Sequence, residues 1–218
     1  MKTIAQKTAE HLLDIKAIML RPNKPFRYTS GILSPVYIDN RIIISYPKIR
    51  QKIISYYIKT IKEKIGIANA QLVSGTAMAA IPHAAFISQK LNLPMVFVRD
   101  TKKGHGRQNK IEGIVEKNQK TIIIEDHIST GGSTIGNIKA IRASGGKVKY
   151  AIATTTFLMK KAENNFKKAK IKVFTLTDIN EIIKIAIQRK TIKKEDKAVI
   201  VQWSKNPPAW GKKFGFEK

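Results

Sequence analysis

The sequence predicts an α/β fold, in which a mostly parallel, doubly wound sheet is flanked by helices. Short apolar runs typical of buried strands alternate along the chain with longer segments of helical periodicity. Turns rich in Gly, Ser and Thr separate these segments, as expected where strands lead into helices. With 218 residues the chain can bury one sizeable core. We therefore predict a single domain over residues 1–218, in which residues 1–45 form a small N-terminal hood.

The N-terminal elements are predicted from periodicity and from proline positions. Residues 3–20 carry apolar side chains at helical spacing, and residues 26–41 form a region of short strands broken by Gly31 and Pro35. Pro47 marks the first turn of a helix predicted to extend to residue 65. The next predicted elements are a strand at 71–74, a helix at 76–91 and a strand at 94–98.

The second half of the chain is organised around one apolar run, residues 121–124, which ends in Glu125 and Asp126. A turn of Gly, Ser and Thr follows these acids and leads into a helix. The predicted elements of this half are a polar loop at 99–111, a helix from about Thr134 to Ala143, strands at 148–157 and 172–176, helices at about 178–189 and 194–204, and an irregular tail from Asn206 that Trp203 and Trp210 hold in place.

The composition limits the classes of function. The formal net charge is +26, from 41 Lys and Arg against 15 Asp and Glu, a balance that often indicates nucleic-acid binding. Here the lysines are scattered along the chain, so we expect a generally basic surface with no nucleic-acid partner, although its field would help capture polyanionic substrates. The absence of cysteine excludes disulfides and cysteine metal sites. Charges interrupt residues 1–20, which predicts neither a signal peptide nor a membrane span, and hence a cytoplasmic protein.

The segment from Glu125 to Thr134 carries the strongest chemical signal. A turn of Ser, Thr and Gly at a helix start offers backbone N–H groups, hydroxyls and a positive dipole end to a phosphate monoester. The preceding carboxylates accept hydrogen bonds only, which suits the vicinal hydroxyls of a ribose. Neither a Walker A loop nor a dinucleotide fingerprint is present. The alternative is an ordinary capped turn, but paired acids beside an apolar run favour a phosphorylated ribose as ligand.

Three other segments could contribute to the same site. The loop from Arg99 to Arg107 contains cations, glycines and His105, and could close over a pyrophosphate, unless it is a solvated basic loop. Gly75, Thr76 and Ala77 form a second strand-to-helix joint that either offers N–H groups to another phosphate or is a simple tight turn. Residues 26–41 mix aromatic and polar side chains, on which a planar heterocycle could stack, unless they form only a packed hairpin. His83 is expected at the edge of the core.

These four segments, in this order, resemble the orotate phosphoribosyltransferases, a branch of the type I phosphoribosyltransferases, over nearly the whole chain. The Glu125–Thr134 segment is similar to the motif that binds 5-phosphoribosyl 1-diphosphate (PRPP). The Ser-Gly and Ser-Pro-x-Tyr-x-Asp-x-Arg stretch and the Lys103-Gly104-His105-Gly106 loop resemble the orotate branch more than the purine branches. The resemblance implies the type I fold, orotate and PRPP as substrates, Mg²⁺ as cofactor, and a homodimer that shares loop 99–111 across its interface.

The resemblance also implies individual roles. Lys103, His105 and Asp126 would be catalytic, with Mg²⁺ held through PRPP rather than by direct protein ligands. Gly75, Thr76 and Ala77 would form the pyrophosphate turn. The implied PRPP-binding residues are Arg99, Lys102, Lys103, His105, Glu125, Asp126, His127, Ile128, Ser129, Thr130, Gly131, Gly132 and Ser133. The implied orotate-binding residues are Ser129, Ser30, Gly31 and Tyr37.

The chain departs from the family pattern at three positions that are often lysine. Thr29 precedes the Ser-Gly pair, Ala79 lies in the pyrophosphate turn, and Asp100 follows Arg99. Lys102 could replace part of the lost charge. Two alternatives to the orotate enzyme stay open. One is a purine or uracil phosphoribosyltransferase, and the other is a PRPP-sensing regulator that binds nucleic acid.

Overall fold

The computed structural model describes residues 2–99 and 110–217. Its helices and strands alternate over most of the chain. In chain order they are α1 Ile4–Asp14, β1 Ile18–Leu20, β2 Phe26–Arg27, β3 Leu33–Ser34, β4 Val36–Ile38, α2 Pro47–Thr60, β5 Leu72–Thr76, α3 Ile81–Leu91, β6 Met95–Val98, β7 Ile111–Glu112, β8 Lys120–Ile128, α4 Gly132–Ala143, β9 Lys147–Thr156, α5 Lys160–Ala169, β10 Lys172–Thr175, α6 Ile179–Gln188, α7 Asp196–Lys205 and α8 Pro207–Lys213.

The central sheet has six strands in the order β10-β9-β8-β5-β6-β7. Strands β10, β9, β8, β5 and β6 run parallel, and β7 pairs antiparallel with β6 at the edge. Alternate residues of β8 enter different cores, because Ile122 and Ile124 pack in one apolar cluster and Ile123 in the other. Helices α1, α2, α3 and α6 contribute to the first cluster, and α4 and α5 to the second. The prediction of a mostly parallel, doubly wound sheet is thus confirmed.

The N-terminal segment differs from its prediction. A capping box between Thr3 and Gln6 begins α1, but the helix ends at Asp14 rather than near residue 20. Lys16 has a positive φ of 56°, and β1 then pairs antiparallel with β4. The prediction of one helix over residues 3–20 was wrong because an apolar run is compatible with either state, and strand pairing with a distant segment decides between them.

Three further elements differ from the sequence prediction. Strand β5 extends to Thr76 and a turn follows, so α3 begins at Ile81 rather than at residue 76. Helix α5 was not predicted: it is rich in lysine and buries only Ala162 and Phe166. The tail predicted to be irregular contains α8, although Trp203 and Trp210 are fully buried as expected. Among the described helices, none is long and apolar enough to cross a membrane.

Candidate active site

The turn between β8 and α4 has the geometry of an anion site. Gly131 precedes the helix with φ +76°, and the first intrahelical hydrogen bond runs from the Ile135 N–H to the Gly131 carbonyl at 2.9 Å. The N–H groups of the first helical turn therefore have no partner within the helix. Ser133 is exposed, and Ser129 and Thr130 are half-buried. Backbone donors, hydroxyls and the positive end of the helix dipole thus meet at one accessible point.

Helix α5 supports this turn from behind. The Asn165 side-chain amide donates to the Thr130 carbonyl at 2.9 Å. A Cβ on Gly131 would lie 2.8 Å from the Phe166 ring, so the ring packs directly on the glycine backbone. Both the positive φ and this close approach require glycine at position 131. The α5 contribution had no signal in the sequence, because its two contacting residues lie in a lysine-rich segment.

Glu125 and Asp126 were predicted to end the strand. They lie within β8 instead, because this strand continues to Ile128. Glu125 is only 3% exposed. One of its carboxylate oxygens accepts from the Thr134 hydroxyl at 2.8 Å and from Ser133 at 3.3 Å, so it joins the strand to the start of α4. Asp126 is half-buried and is the more accessible acid. Burial, and then the neighbouring Asp126 charge, raises the pKa of Glu125; burial also raises the pKa of Asp126.

Two side chains from distant segments hold the backbone of these acids. The Tyr57 hydroxyl on α2 donates to the Glu125 carbonyl at 2.8 Å and also pairs with Thr154 at 2.7 Å. The Asn40 amide donates to the Asp126 carbonyl at 2.8 Å and to the Thr155 hydroxyl at 2.9 Å. Tyr57 and Asn40 are fully buried. Sequence reasoning missed both residues: Tyr57 lies in no motif, and Asn40 occupies a variable position of the Ser-Pro-x-Tyr-x-Asp-x-Arg stretch.

His127 and Ile128 were both predicted to bind PRPP; in this structure the Ile128 side chain is buried and the His127 side chain is half-buried. The Ile128 side chain is 2% exposed within the apolar core. The His127 ring packs edge-on against Phe157 at 4.3 Å, and its Nδ1 lies 2.9 Å from the Thr155 hydroxyl. Burial lowers the pKa of His127 to about 4, so the ring is neutral at pH 7. Any contact of Ile128 with a ligand must therefore come from its backbone. His83 is likewise buried, and burial lowers its pKa to about 4.

The predicted pyrophosphate turn follows β5. Gly75 allows α3 to approach closely, because a Cβ there would lie 3.0 Å from the Ala84 Cβ. The Ala77 N–H donates to the Val98 carbonyl at 3.0 Å, which leaves it unavailable to a phosphate. Within the described residues no hydrogen bond is made by the N–H groups of Met78 and Ala79. The free donors of this turn are thus one and two residues beyond the predicted ones.

Asn137 connects α4, the helix that follows the phosphate turn, to the end of β5. It is 1% exposed, and its amide oxygen accepts from the Ser74 hydroxyl at 2.8 Å while its nitrogen donates to Thr76 at 3.0 Å. Both ends of the amide are therefore used to fix α4 relative to the carboxyl end of β5. This contact also had no signal in the sequence.

Loop 99–111 starts and ends at the sheet edge. The Arg99 N–H donates to the Lys110 carbonyl at 2.9 Å, and the Arg99 guanidinium lies 3.2 Å from Glu112. Lys102, Lys103 and His105, which were predicted to bind the pyrophosphate, lie outside the described residues, as does Asp100. Of the cations predicted for this loop, the structure therefore places Arg99 alone.

One cavity brings three predicted pieces together. It has a volume of about 320 Å³ and lies between the ends of β5 and β6 and the start of α4. A larger groove of about 570 Å³ runs between α2 and α3, but it contains neither the acids nor the phosphate turn. We assign the chemistry to the smaller cavity because its lining combines Thr76 of the turn after β5, Arg99 of the loop, and Gly132 and Ser133 of the phosphate turn. Ser133 also donates to Glu125 at 3.3 Å, which connects the cavity to the acid strand. The other lining residues are Val98, Lys110, Gly136 and Asn137.

The residues predicted to meet orotate are less closely grouped. Ser30 and Gly31 lie in an exposed turn that the Gly31 N–H closes by donating to the Tyr28 carbonyl at 2.8 Å. Tyr37 on β4 packs against Phe26 with 5.5 Å between ring centroids. No hydrogen bond among the described residues joins this turn to Ser129. Their joint role in binding orotate therefore stays a prediction.

An α/β sheet with a phosphate turn, paired acids and a second anion turn at its carboxyl edge defines the class of protein. The profile described as the phosphoribosyl transferase domain matches residues 43–191, more than half of the chain. The chain therefore belongs to the phosphoribosyltransferase family.

Relatives that match over nearly the whole chain name one branch of that family. The orotate phosphoribosyltransferase of Listeria innocua is 43% identical over 210 residues, which cover 96% of this chain and all of that protein. The enzyme of the same name from Bacillus subtilis is 43% identical over 212 residues, covering 96% and 97% of the two chains. The resemblance inferred from the motifs is thus confirmed.

Solved structures show the same fold. The orotate phosphoribosyltransferase of Aeropyrum pernix superposes with a TM-score of 0.71 at 23% identity, over 81% of this chain and 96% of that one. The UMP synthase of Leishmania donovani superposes with a TM-score of 0.75 at 23% identity, over 91% of this chain and 42% of that one. At this identity the superpositions establish the type I phosphoribosyltransferase fold and no more.

Proposed function

We propose that this protein is an orotate phosphoribosyltransferase, which transfers the phosphoribosyl group of PRPP to orotate. The products are orotidine 5′-phosphate and pyrophosphate, in the synthesis of pyrimidine nucleotides. Relatives of that name, 43% identical over nearly the full chain, support the choice of base. The observation that carries the chemistry is the cavity that joins Thr76, Arg99 and the start of α4, where Ser133 donates to Glu125.

The reaction is a displacement at the anomeric carbon of the ribose, with an orotate ring nitrogen as nucleophile and pyrophosphate as leaving group. No protein nucleophile is needed, so catalysis comes from positioning and from stabilising the charge that develops on the pyrophosphate. In our proposal Ser129–Ser133 bind the 5′-phosphate and Asp126, the accessible acid, binds the ribose hydroxyls. Glu125, also predicted to bind PRPP, supports the start of α4 through Ser133 and Thr134. Arg99 and the turn after β5 bind the pyrophosphate, with Lys103 and His105 as the transition-state contacts of the loop.

Mg²⁺ fits this arrangement as a cation carried by the substrate. The ion usually keeps several waters and binds through one or two carboxylates plus substrate phosphates. Asp126 provides one accessible carboxylate, and the described residues contain no group of three or more His, Asp or Glu that could hold a metal. The protein's contribution would be to orient the pyrophosphate and ribose oxygens that coordinate the ion, which would neutralise charge on the leaving group.

The remaining parts of the proposal concern assembly. We expect a cytoplasmic homodimer in which loop 99–111 reaches the partner's site, and a hood of residues 1–45 above the base. The position of the hood is supported by its contact with the acid strand, since the Asn40 side chain donates to the Asp126 carbonyl at 2.8 Å. Size-exclusion chromatography with light scattering would test the dimer directly.

The reaction is tested by following the ultraviolet absorbance of orotate after addition of PRPP and Mg²⁺. Adenine, hypoxanthine and uracil are assayed separately as control bases. Consumption of orotate alone would establish both the reaction and the base. Consumption of another base instead would preserve the PRPP site and overturn the assignment of orotate. PRPP binding without turnover of any base would favour a PRPP-sensing regulator.

A further inference from the structure

The two ends of the chain, both outside the matched domain of residues 43–191, pack against each other. The N-terminal part contributes the hairpin of β2 and β3 and the strand β4, and the C-terminal part contributes α7 and α8. Helix α8 packs on β3, and Arg27 lies 3.6 Å from Glu217. The segment that follows the domain is therefore combined with the segment that precedes it.

Trp203 on α7 makes the main contacts between the two ends of the chain. Its side chain is 2% exposed, and its indole N–H donates to the Leu33 carbonyl at 2.8 Å, across 170 residues of chain. The Tyr28 ring meets the indole edge-on, with 6.2 Å between centroids. Leu33 and Tyr28 lie on either side of the turn that carries Ser30 and Gly31. The indole thus fixes the base of that turn.

The same indole also contacts the catalytic edge of the sheet. Its ring meets Phe157 edge-on, with 4.8 Å between centroids. The Phe157 N–H donates to the Ile128 carbonyl at 3.1 Å, and the Phe157 ring packs on His127 at 4.3 Å. These contacts reach the backbone between Asp126 and the phosphate turn. Trp203 therefore connects the N-terminal hairpin to the part of β8 that carries the proposed site.

Trp210 provides a comparison within the same segment. It is 1% exposed, and its indole N–H donates to the Val199 carbonyl at 2.9 Å. Its ring partners are Phe214 and Phe216, at 5.4 and 5.1 Å. The two tryptophans match in burial and in hydrogen bonding, but these contacts of Trp210 stay within the C-terminal segment. Burial alone therefore does not account for the partners of Trp203.

We propose that Trp203 is a positioning residue that holds the hairpin of residues 26–38 against the ends of β8 and β9, and so sets the affinity for the base. The inference rests on the proposed function, in which this hairpin covers the base. The indole N–H donates to the hairpin, at the Leu33 carbonyl. Its loss should therefore weaken base binding, while a phenyl ring at position 203 can still pack on Phe157 and the PRPP site on β5, β8 and α4 keeps its geometry.

The first test compares Trp203→Phe with Trp210→Phe, since both replacements remove one indole N–H bond and the same volume. Trp203→Phe should raise the KM for orotate about fivefold to tenfold, the loss expected for one buried hydrogen bond, and leave the KM for PRPP within about twofold. Trp210→Phe should leave both constants within about twofold. Equal changes in the two variants, a parallel change in both constants, or no change with Trp203→Phe would overturn the inference.

A second test does not depend on activity. Hydrogen exchange should be faster in residues 26–38 of Trp203→Phe than in Trp210→Phe, with unchanged protection of residues 132–143. Identical exchange in the hairpin of both variants would contradict a positioning role. If the wild-type protein consumes another base, the proposed function fails by itself, and the same kinetic comparison with that base still decides the role of Trp203.

Discussion

The phosphate turn and the acid strand lie side by side in the site but are built in opposite ways. The turn from Ser129 to Ser133 takes its ligand-binding groups from local chemistry, namely hydroxyls, a glycine with positive φ and the free N–H groups of a helix start, and α5 only packs behind it. The acids depend on distant partners instead. Tyr57 binds the Glu125 carbonyl from 68 residues away, and Asn40 binds the Asp126 carbonyl from 86 residues away.

The two regions also differ in exposure. The Ser133 side chain is open to solvent, whereas Glu125 is almost fully buried. A ligand phosphate can therefore reach the turn without rearrangement, while only Asp126 of the pair is accessible. The motif therefore contains a contact surface and a structural support in adjacent residues, and substitutions can separate the two.

Asp126→Asn should have the largest effect on activity. The substitution keeps the size of the side chain and removes the charge proposed to bind the ribose, so kcat/KM should fall at least about 100-fold, as when one preorganised polar contact of a transition state is lost. The unfolding midpoint should change little. Asp14→Asn, at an exposed acid on α1, serves as the control. Near-normal turnover of Asp126→Asn would remove this residue from the site.

Gly131→Ala tests the local construction of the turn. Alanine at this position would have to adopt a positive φ, which is unfavourable for it, and its Cβ would approach the Phe166 ring to 2.8 Å. The free energy of unfolding should therefore fall by about 2–4 kcal/mol. Urea denaturation measures this loss. Gly136→Ala on the same helix is the matched control, because open space surrounds its Cβ position; it should stabilise by about 0.5–1 kcal/mol. Similar changes in both variants would refute the close packing of α5.

Glu125→Gln tests the buried support through its pH dependence. Because burial raises the pKa of Glu125, the folded state holds its proton more tightly than the unfolded state does. This group therefore lowers stability progressively as the pH rises from about 4.3, its value in an unfolded chain, to its higher folded value. The amide variant should match the wild type near pH 4 and exceed its stability by at least about 2 kcal/mol above pH 8, when urea denaturation is repeated across this range.

The control for this titration is Glu163→Gln. That carboxylate is fully exposed, and its hydrogen bond to Lys160 lowers its pKa, so the sign of its contribution is opposite. The free energy of unfolding of Glu163→Gln should therefore not rise above that of the wild type at high pH. A flat profile for Glu125→Gln would mean that Glu125 is ionised in the folded protein at neutral pH.

Tyr57→Phe should show the smallest of these effects and isolate the distant support of the acids. Loss of the hydroxyl leaves the Glu125 carbonyl and the Thr154 hydroxyl without their hydrogen bonds to Tyr57, which should cost about 1–2 kcal/mol of stability. Thermal unfolding measures this cost. Tyr56→Phe, at the half-buried neighbour on the same helix, should change stability by less than about 0.5 kcal/mol. Equal losses of stability in the two variants would show that the hydrogen bond from Tyr57 to the acid strand does not stabilise the fold.

Much of the architecture was predictable because it follows from periodicity. The apolar run before Glu125 and the small polar residues after it correctly predicted β8, the turn and α4. Helix α5 was missed because its lysines conceal a narrow apolar face formed by Ala162 and Phe166. Residues 18–20 were assigned to a helix because their apolar character fits both states, and only pairing with β4 makes them a strand.

The phosphate turn, the position of the acids and the family are predictable from sequence alone, because turn chemistry and strand periodicity depend on neighbouring residues. The contacts that hold these groups in place become visible only in the folded chain. Asn137 joins α4 to β5, Tyr57 holds the Glu125 backbone, and Trp203 bonds to Leu33 across 170 residues. Such contacts leave no local pattern, since a hydrogen bond between distant segments depends only on where the folded chain brings them together.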